Sequence, residues 1–252
     1  MTASSYRNWI TGCGVMALAV AAAGCTSMRG DDHGAAAMRA SSVIASPLRT
    51  AADRQTDAER HPAEFLPFTE VQPGMRVLDV SAGGGYTSQL LAIAVGPGGT
   101  VWAQSPKPGA ALEKRLAEHP QRNLIVVARP FDDPVPPAAK DLDLITLIQN
   151  YHDLTYQAVD RARMNARLFA ALKPGGRFVV IDHSGRAGTG ISEAKTLHRI
   201  DEAVVLEEVR KAGFVLDAEG DFLRNPADPR TAPSSHPQVP TDKFALRFVK
   251  PK

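Results

Sequence analysis

Thiols are scarce in this chain. Its 252 residues hold two cysteines, Cys13 and Cys25, both ahead of any segment with a core-forming pattern. On an N-terminal reading that removes Cys13 and acylates Cys25, no thiol remains for a disulfide or a thiolate site, and stability must come from packing. Also missing is a dense basic run interleaved with aromatics, the pattern that follows a phosphate backbone. Lys and Arg number 29 against 27 Asp and Glu, a formal net charge of +2, so nucleic acid is not the expected partner. There is no internal repeat. What the chain does have is 44% hydrophobic and 22% charged residues, enough for one ordinary domain with a full core and not for a second large one.

The first 24 residues read as a segment outside the fold. One cation, Arg7, precedes the small, apolar stretch Gly14 to Gly24, too short for a mature membrane span and suited to a signal-peptide core. Ala22-Ala-Gly-Cys25 resembles the lipobox of bacterial lipoproteins, whose cysteine is acylated and becomes the mature N-terminus. Ile10-Thr-Gly-Cys13 fits the same short pattern but lacks a preceding apolar core. The resemblance implies export and a lipid anchor at Cys25, and Thr26 in place of aspartate favours the outer membrane, on the periplasmic side. Residues 25–45, rich in Ala, Ser, Gly and Asp, are expected to form a flexible tether. The domain is expected to span residues 46–252.

From Ser46 onward, helical stretches interrupted near Pro62 lead into apolar runs of strand length that alternate with helices. That alternation predicts a parallel sheet covered on both faces. Expected strands are residues 76–80, 100–104, 124–128, 142–148, 177–181, 214–220 and 243–249. The segment from Ile191 to Ala212 is expected to be one helix, and residues 224–240 a long proline-rich loop. Between the first strand and its helix lies the glycine-rich turn Ser81-Ala-Gly-Gly-Gly85.

Such a turn alone is shared by many nucleotide-binding folds. Together, however, Gln72-Pro-Gly-Met-Arg-Val-Leu-Asp-Val-Ser-Ala-Gly-Gly-Gly85 and Leu172-Lys-Pro-Gly-Gly-Arg-Phe-Val-Val-Ile181 resemble the first and fifth strand regions of class I S-adenosylmethionine-dependent methyltransferases. The phrases Asn150-Tyr-His-Asp153, Ile181-Asp-His-Ser184 and Leu197-His-Arg-Ile-Asp-Glu202 are similar to a subfamily of predicted bacterial methyltransferases. The resemblance implies a Rossmann-like three-layer α/β/α sandwich with a mostly parallel seven-stranded sheet and an antiparallel C-terminal edge strand. It also implies S-adenosyl-L-methionine as cofactor. On that reading Asp79, Ser81, Ala82, Gly83 and Gly85 form the cofactor loop, with Gly83 and Gly85 letting the backbone approach the ligand. Gln104 stands where the family places an acidic ribose ligand, Asp132 where the adenine amino group is received, and Asn150 at the rim. Ser81 and Gln104 depart from the family pattern, and an amide offers one acceptor oxygen and no charge.

Ligands of open α/β sheets bind beyond the carboxyl ends of the strands. His152 and His183 are therefore the candidate bases for an acceptor that carries a proton, and Tyr151 the residue to line the methyl channel. The alternative is that each is a hydrogen-bonded structural side chain. Imidazole and carboxylate at His152, Asp182, His183 and His198 would suit Zn, Fe or Mn, but their spacing has no metal signature, and none is expected. Arg199 is a candidate anion ligand, and Arg224, Asn225, Asp228 and Arg230 form either a lid or a loop locked by ion pairs. The expected activity is methyl transfer to a small-molecule acceptor, and the alternative is a catalytically inactive methyltransferase-like binding protein of the envelope.

Overall fold

The structure is a computed structural model that describes residues 1–2 and 27–252. The expected signal peptide and Cys25 lie outside the described residues, apart from the first two positions. Among the described residues, no helix is long and apolar enough to cross a membrane.

Runs such as Val77-Leu-Asp-Val80 and Leu144-Ile-Thr-Leu147 are apolar on both faces because both faces are covered. The strands are β1 (Arg76–Val80), β2 (Thr100–Ser105), β3 (Leu124–Ala128), β4 (Leu142–Ile148), β5 (Leu172–His183), β6 (Val215–Gly220) and β7 (Lys243–Val249), in spatial order β3-β2-β1-β4-β5-β7-β6. The strands from β1 to β5 pair in parallel, and β7 runs antiparallel to both β5 and β6. The antiparallel strand is thus one position in from the edge, inserted between β5 and β6. The expected sandwich and seven-stranded sheet are present.

The helices are α1 (Ser27–Ile44), α2 (Ala51–Arg60), α3 (Pro62–Thr69), α4 (Tyr86–Val95), α5 (Ala110–Glu118), α6 (Arg161–Ala171), α7 (Ala194–Leu197) and α8 (Glu202–Lys211). Leu78, Val80, Ile145, Leu147 and Phe178 point into one core, shared with Met164 and Leu168 of α6 and Val205 and Val209 of α8. Val77, Val101, Leu144 and Val179 point into the other, with Leu90 and Leu91 of α4, Leu112 of α5 and Phe65 of α3.

Two expectations need correction. The tether is not flexible through residue 45, because Ser27–Ile44 forms α1 and buries Ala40 and Val43 in the second core. Its apolar side is made largely of alanine, which gives little periodic signal but docks closely. The expected helix from Ile191 to Ala212 is split. His198 takes a left-handed conformation at φ +50°, Ile200 bridges to Ser184, and the side chain of Asp201 accepts the Ala203 N–H to start α8.

Candidate functional site

The turn after β1 is held by a web of protein contacts. Ser81 sits at φ +62°, a conformation costly for a residue with a Cβ, and its N–H donates to Gln104 Oε1 at 3.0 Å. Gln104 Nε2 donates to the Arg129 carbonyl at 2.6 Å, and the Gln104 carbonyl accepts the Ala82 N–H at 2.8 Å. Gln104 is fully buried, so both ends of its amide serve the loop rather than a ribose. The two glycines also differ. A Cβ on Gly83 (φ +54°) would meet nothing nearer than the Ser81 carbonyl oxygen at 4.0 Å. A Cβ on Gly85 (φ +83°) would lie 2.7 Å from Leu112 Cδ1 and 3.0 Å from Arg115 Cδ. Gly83 therefore faces open space, while at Gly85 the packing of α5 alone already requires a glycine.

Asp79 lies beneath this turn. β1 and β4 place it beside Thr146, whose hydroxyl donates to Oδ1 at 2.7 Å, and the Ser88 hydroxyl at the start of α4 donates to Oδ2 at 2.5 Å. Burial pushes its pKa up to about 6, against the pull of those two hydrogen bonds. Asp79 thus anchors α4 to the sheet and has no surface for direct ligand contact.

Helix α2 lies against the turn. Arg115 donates to the Gly84 carbonyl at 2.7 Å and forms a two-pronged pair with Asp53 at 2.7 and 2.8 Å. Tyr86 donates to Asp57 at 2.7 Å, and Arg49 pairs with the same carboxylate. Arg60, the last residue of α2, is half-buried, and its side chain has no hydrogen bond or ion pair to any described residue. Burial lowers its pKa, with Tyr86, Asp79 and Asp182 among the charges it senses. Sequence reasoning missed it, since a lone arginine at a helix end has no distinguishing signal.

Beyond β4 and β5 three histidines converge. His152 is buried, with Nδ1 2.7 Å from Asp182 Oδ1 and its N–H donating to Asp182 Oδ2 at 2.8 Å. Its ring centroid is 6.0 Å from that of His183 and 5.5 Å from that of His198. Burial opposes a charge on His152, but Asp182 and Asp153 outweigh it and push its pKa up to about 10. His183 behaves oppositely. Burial, with the nearby Lys243 and His152, pushes it down to about 2, so it is a neutral imidazole whose Nδ1 lies 2.9 Å from Thr241 Oγ1. Asn150 donates to Asp153 Oδ2 at 3.0 Å, while its own buried Oδ1 has no partner among the described residues.

Other expected site residues lie elsewhere or are otherwise engaged. Tyr151 is fully buried in the first core, donates to Glu208 at 2.8 Å and accepts from Asn165, because the turn after β4 directs it toward α6 and α8. It does not line a channel. Arg199 is fully buried against Asp228 and the carbonyls of Ser184 and Ala232, which makes it a pin for the long loop rather than an anion ligand. Arg224 pairs with Glu202 and Arg230 with Asp242, so that loop is locked by ion pairs. Asp132 stays half-exposed after β3 and pairs with Arg163.

A strand order with one inserted antiparallel strand, and a glycine turn after β1, can be compared with known proteins. A methyltransferase from Aquifex aeolicus, described as S-adenosylmethionine-dependent, superposes with a TM-score of 0.58 at 19% identity, covering 84% of this chain and 98% of that one. The fold is that of class I methyltransferases. An N-methyltransferase from Bradyrhizobium japonicum superposes with a TM-score of 0.56 at 15% identity, over 79% of this chain and 99% of its own. The profile of the protein-L-isoaspartate(D-aspartate) O-methyltransferase family matches residues 27–128. A protein-L-isoaspartate O-methyltransferase of Aeropyrum pernix is 48% identical over 60 residues, 24% of this chain. The chain matches about a fifth of that relative's length, 21%. The profile match runs from α1 to β3 and stops before β4, so it takes in the glycine turn and not the histidines.

Proposed function

We propose that the chain is an S-adenosylmethionine-dependent methyltransferase, with the cofactor on the Ser81–Gly85 turn and the acceptor at the rim of His152 and His183. The observation that carries this reading is Gly83: a left-handed glycine with an open face, ahead of the N-terminus of α4, on a class I methyltransferase fold. Backbone at Gly83 and the N–H groups opening α4 would hold the methionine part, and Arg60 offers a cation to a carboxylate. Gln104 does not fit the usual acidic ribose ligand, so the ribose would be held without that charge.

The bound cofactor would supply an electrophilic methyl group. The chain's own residues would align the acceptor, and the neutral His183 ring would accept a hydrogen bond from it while being too weakly basic to keep its proton. Two acceptor classes follow. A small molecule is one. An isoaspartyl carboxylate of a protein is the other, favoured by the family matched at residues 27–128. A carboxylate acceptor needs no base and would use Arg60 or Lys243 as its partner.

Calorimetric titration of the folded protein with S-adenosylmethionine, S-adenosylhomocysteine and NAD tests the cofactor. Binding of the first two and not of NAD is expected, lost in Gly83→Val with an unchanged circular dichroism spectrum. Absence of binding at millimolar concentration by folded protein overturns the reading. Binding without transfer to isoaspartyl peptides or to pooled small-molecule acceptors supports the non-catalytic alternative.

A further inference from the structure

The histidine cluster holds more than a candidate base. Asp182 is fully buried and spends both oxygens on its neighbours: Oδ1 on His152 Nδ1 and the His183 N–H, Oδ2 on the His152 N–H. That contact fixes Nδ1 as the donor to Asp182 and aims Nε2 outward at Asp153, where a cation can take the place of the proton Nε2 carries. Opposite it, at 3.2 Å, stands Asp153 Oδ1, another acceptor. His198 Nδ1 approaches the same oxygen at 3.1 Å, and Tyr156 donates to it as well. One atom from each of His152, Asp153 and His198 lies within 4.8 Å of the other two.

Without an ion, protons on the two rings bridge them to Asp153 Oδ1, and the same three atoms converge closely enough for one cation to replace those protons. Ligand atoms about 2.1 Å from one ion stand about 3.0 Å apart at right angles and about 3.4 Å apart at the tetrahedral angle. The separations of the two ring nitrogens from Asp153 Oδ1, 3.1 and 3.2 Å, fall within that interval. We infer that His152, Asp153 and His198 bind a divalent first-row transition-metal ion, with Asp182 orienting the His152 ring from behind. Two imidazoles and one carboxylate favour Zn, Fe(II), Co or Mn over Mg, which prefers oxygen ligands. A buried carboxylate on the far nitrogen of a ligating histidine is the usual support of such a site. The break between α7 and α8 then has a purpose: the left-handed turn at His198 carries its ring back toward the end of β4. His198 is half-exposed, which leaves the ion a path from solvent, and three protein ligands leave coordination positions for water or an oxygen of the acceptor.

The sequence spacing does not announce this site because Asp153 follows its neighbour ligand directly and His198 is 45 residues further on. Only the helix break brings the last ligand in.

The test uses the tag-free full chain, stripped with a chelator, and does not depend on turnover. Titration with Co(II) followed by visible absorption, and with Zn(II) and Mn(II) by calorimetry, is expected to show one equivalent bound at micromolar or lower Kd. His198→Ala and Asp153→Asn should each weaken binding at least tenfold and alter the Co(II) spectrum. Asp182→Asn should weaken it by about 10- to 100-fold, the cost typical of losing such support. His198 is half-exposed, so its variant keeps the fold, checked by circular dichroism. Failure of the native protein to bind one equivalent of any of the three ions overturns the inference. So does a His198→Ala variant with native affinity, since that puts the ion elsewhere.

Discussion

At the end of β1 polar side chains are matched one to one by other protein groups, whereas at the ends of β4 and β5 one buried oxygen is not and several groups share another. Asp79 has Ser88 and Thr146, Gln104 has Ser81 and Arg129, and Arg115 has Asp53 and Gly84. In the other region Asn150 leaves a buried oxygen unmatched among the described residues, and His152, His198 and Tyr156 crowd onto one Asp153 oxygen. The first region is built to hold a backbone shape, and its open features are Gly83 and the Arg60 side chain, which has no partner among the described residues. The second gathers polar atoms around Asp153 with no backbone shape to hold, which is where chemistry or an ion would be accommodated. The long loop from Arg224 to Pro240 belongs to the second region in space but to the first in character, since its charges are paired.

Breaking that pairing should give the largest effect. Asp228→Ala would leave the fully buried Arg199 guanidinium without its partner and release the Arg230 and Asp242 N–H groups. Loss of one member of a buried pair costs about 3–5 kcal/mol. Urea unfolding should show it as a lower midpoint. A native midpoint would mean that the loop is not pinned there.

Asp79 gives the next largest effect, through pH. Its pKa rises from about 4 in the unfolded chain to about 6 in the fold, so between those values the native state binds more protons. Stability therefore falls as pH rises from about 4 to about 6, by about 3 kcal/mol in total, and stays low above that window. Asp53, held at about 2 by Arg115 and Thr50 against its burial, contributes the opposite slope, but below pH 4. Asp79→Asn should flatten the stability profile between pH 4 and 6 by about one proton's worth while leaving the slope below pH 4 intact. An unchanged profile would place the titration on another group.

Much of the fold was legible because strand-length apolar runs and capping residues act locally. The strands at 76–80, 124–128, 142–148 and 243–249, and the helix Tyr86–Val95, stand at the expected residues. What was not legible depends on distant partners. Nothing local separates Gly83 from Gly85; the difference is made by Leu112 and Arg115 on α5. Tyr151 and His152 are neighbours in sequence, yet one faces Glu208 under the sheet and the other Asp182 at the rim. Asp201 before Glu202 was a readable helix-start signal that would have split the long helix and moved His198 off it. Arg60 carries no local mark at all.

Gln104 sharpens the contrast with the smallest expected effect. In the family pattern an acid at this position faces a ribose, so Gln104→Glu would be expected to improve a cofactor site. The structure argues otherwise. Gln104 Nε2 donates to the Arg129 carbonyl at 2.6 Å, and a carboxylate would set an oxygen against that carbonyl inside a fully buried environment. The other oxygen would keep the Ser81 N–H, so the loop would stay in place while losing one buried hydrogen bond, at a cost of about 2 kcal/mol. Thermal unfolding should therefore show a lower Tm, and calorimetry no gain in affinity for S-adenosylmethionine. A variant with native Tm and tighter binding would show instead that this side chain swings out to the ligand, and the glycine-loop region would then have to be counted as adaptable rather than closed.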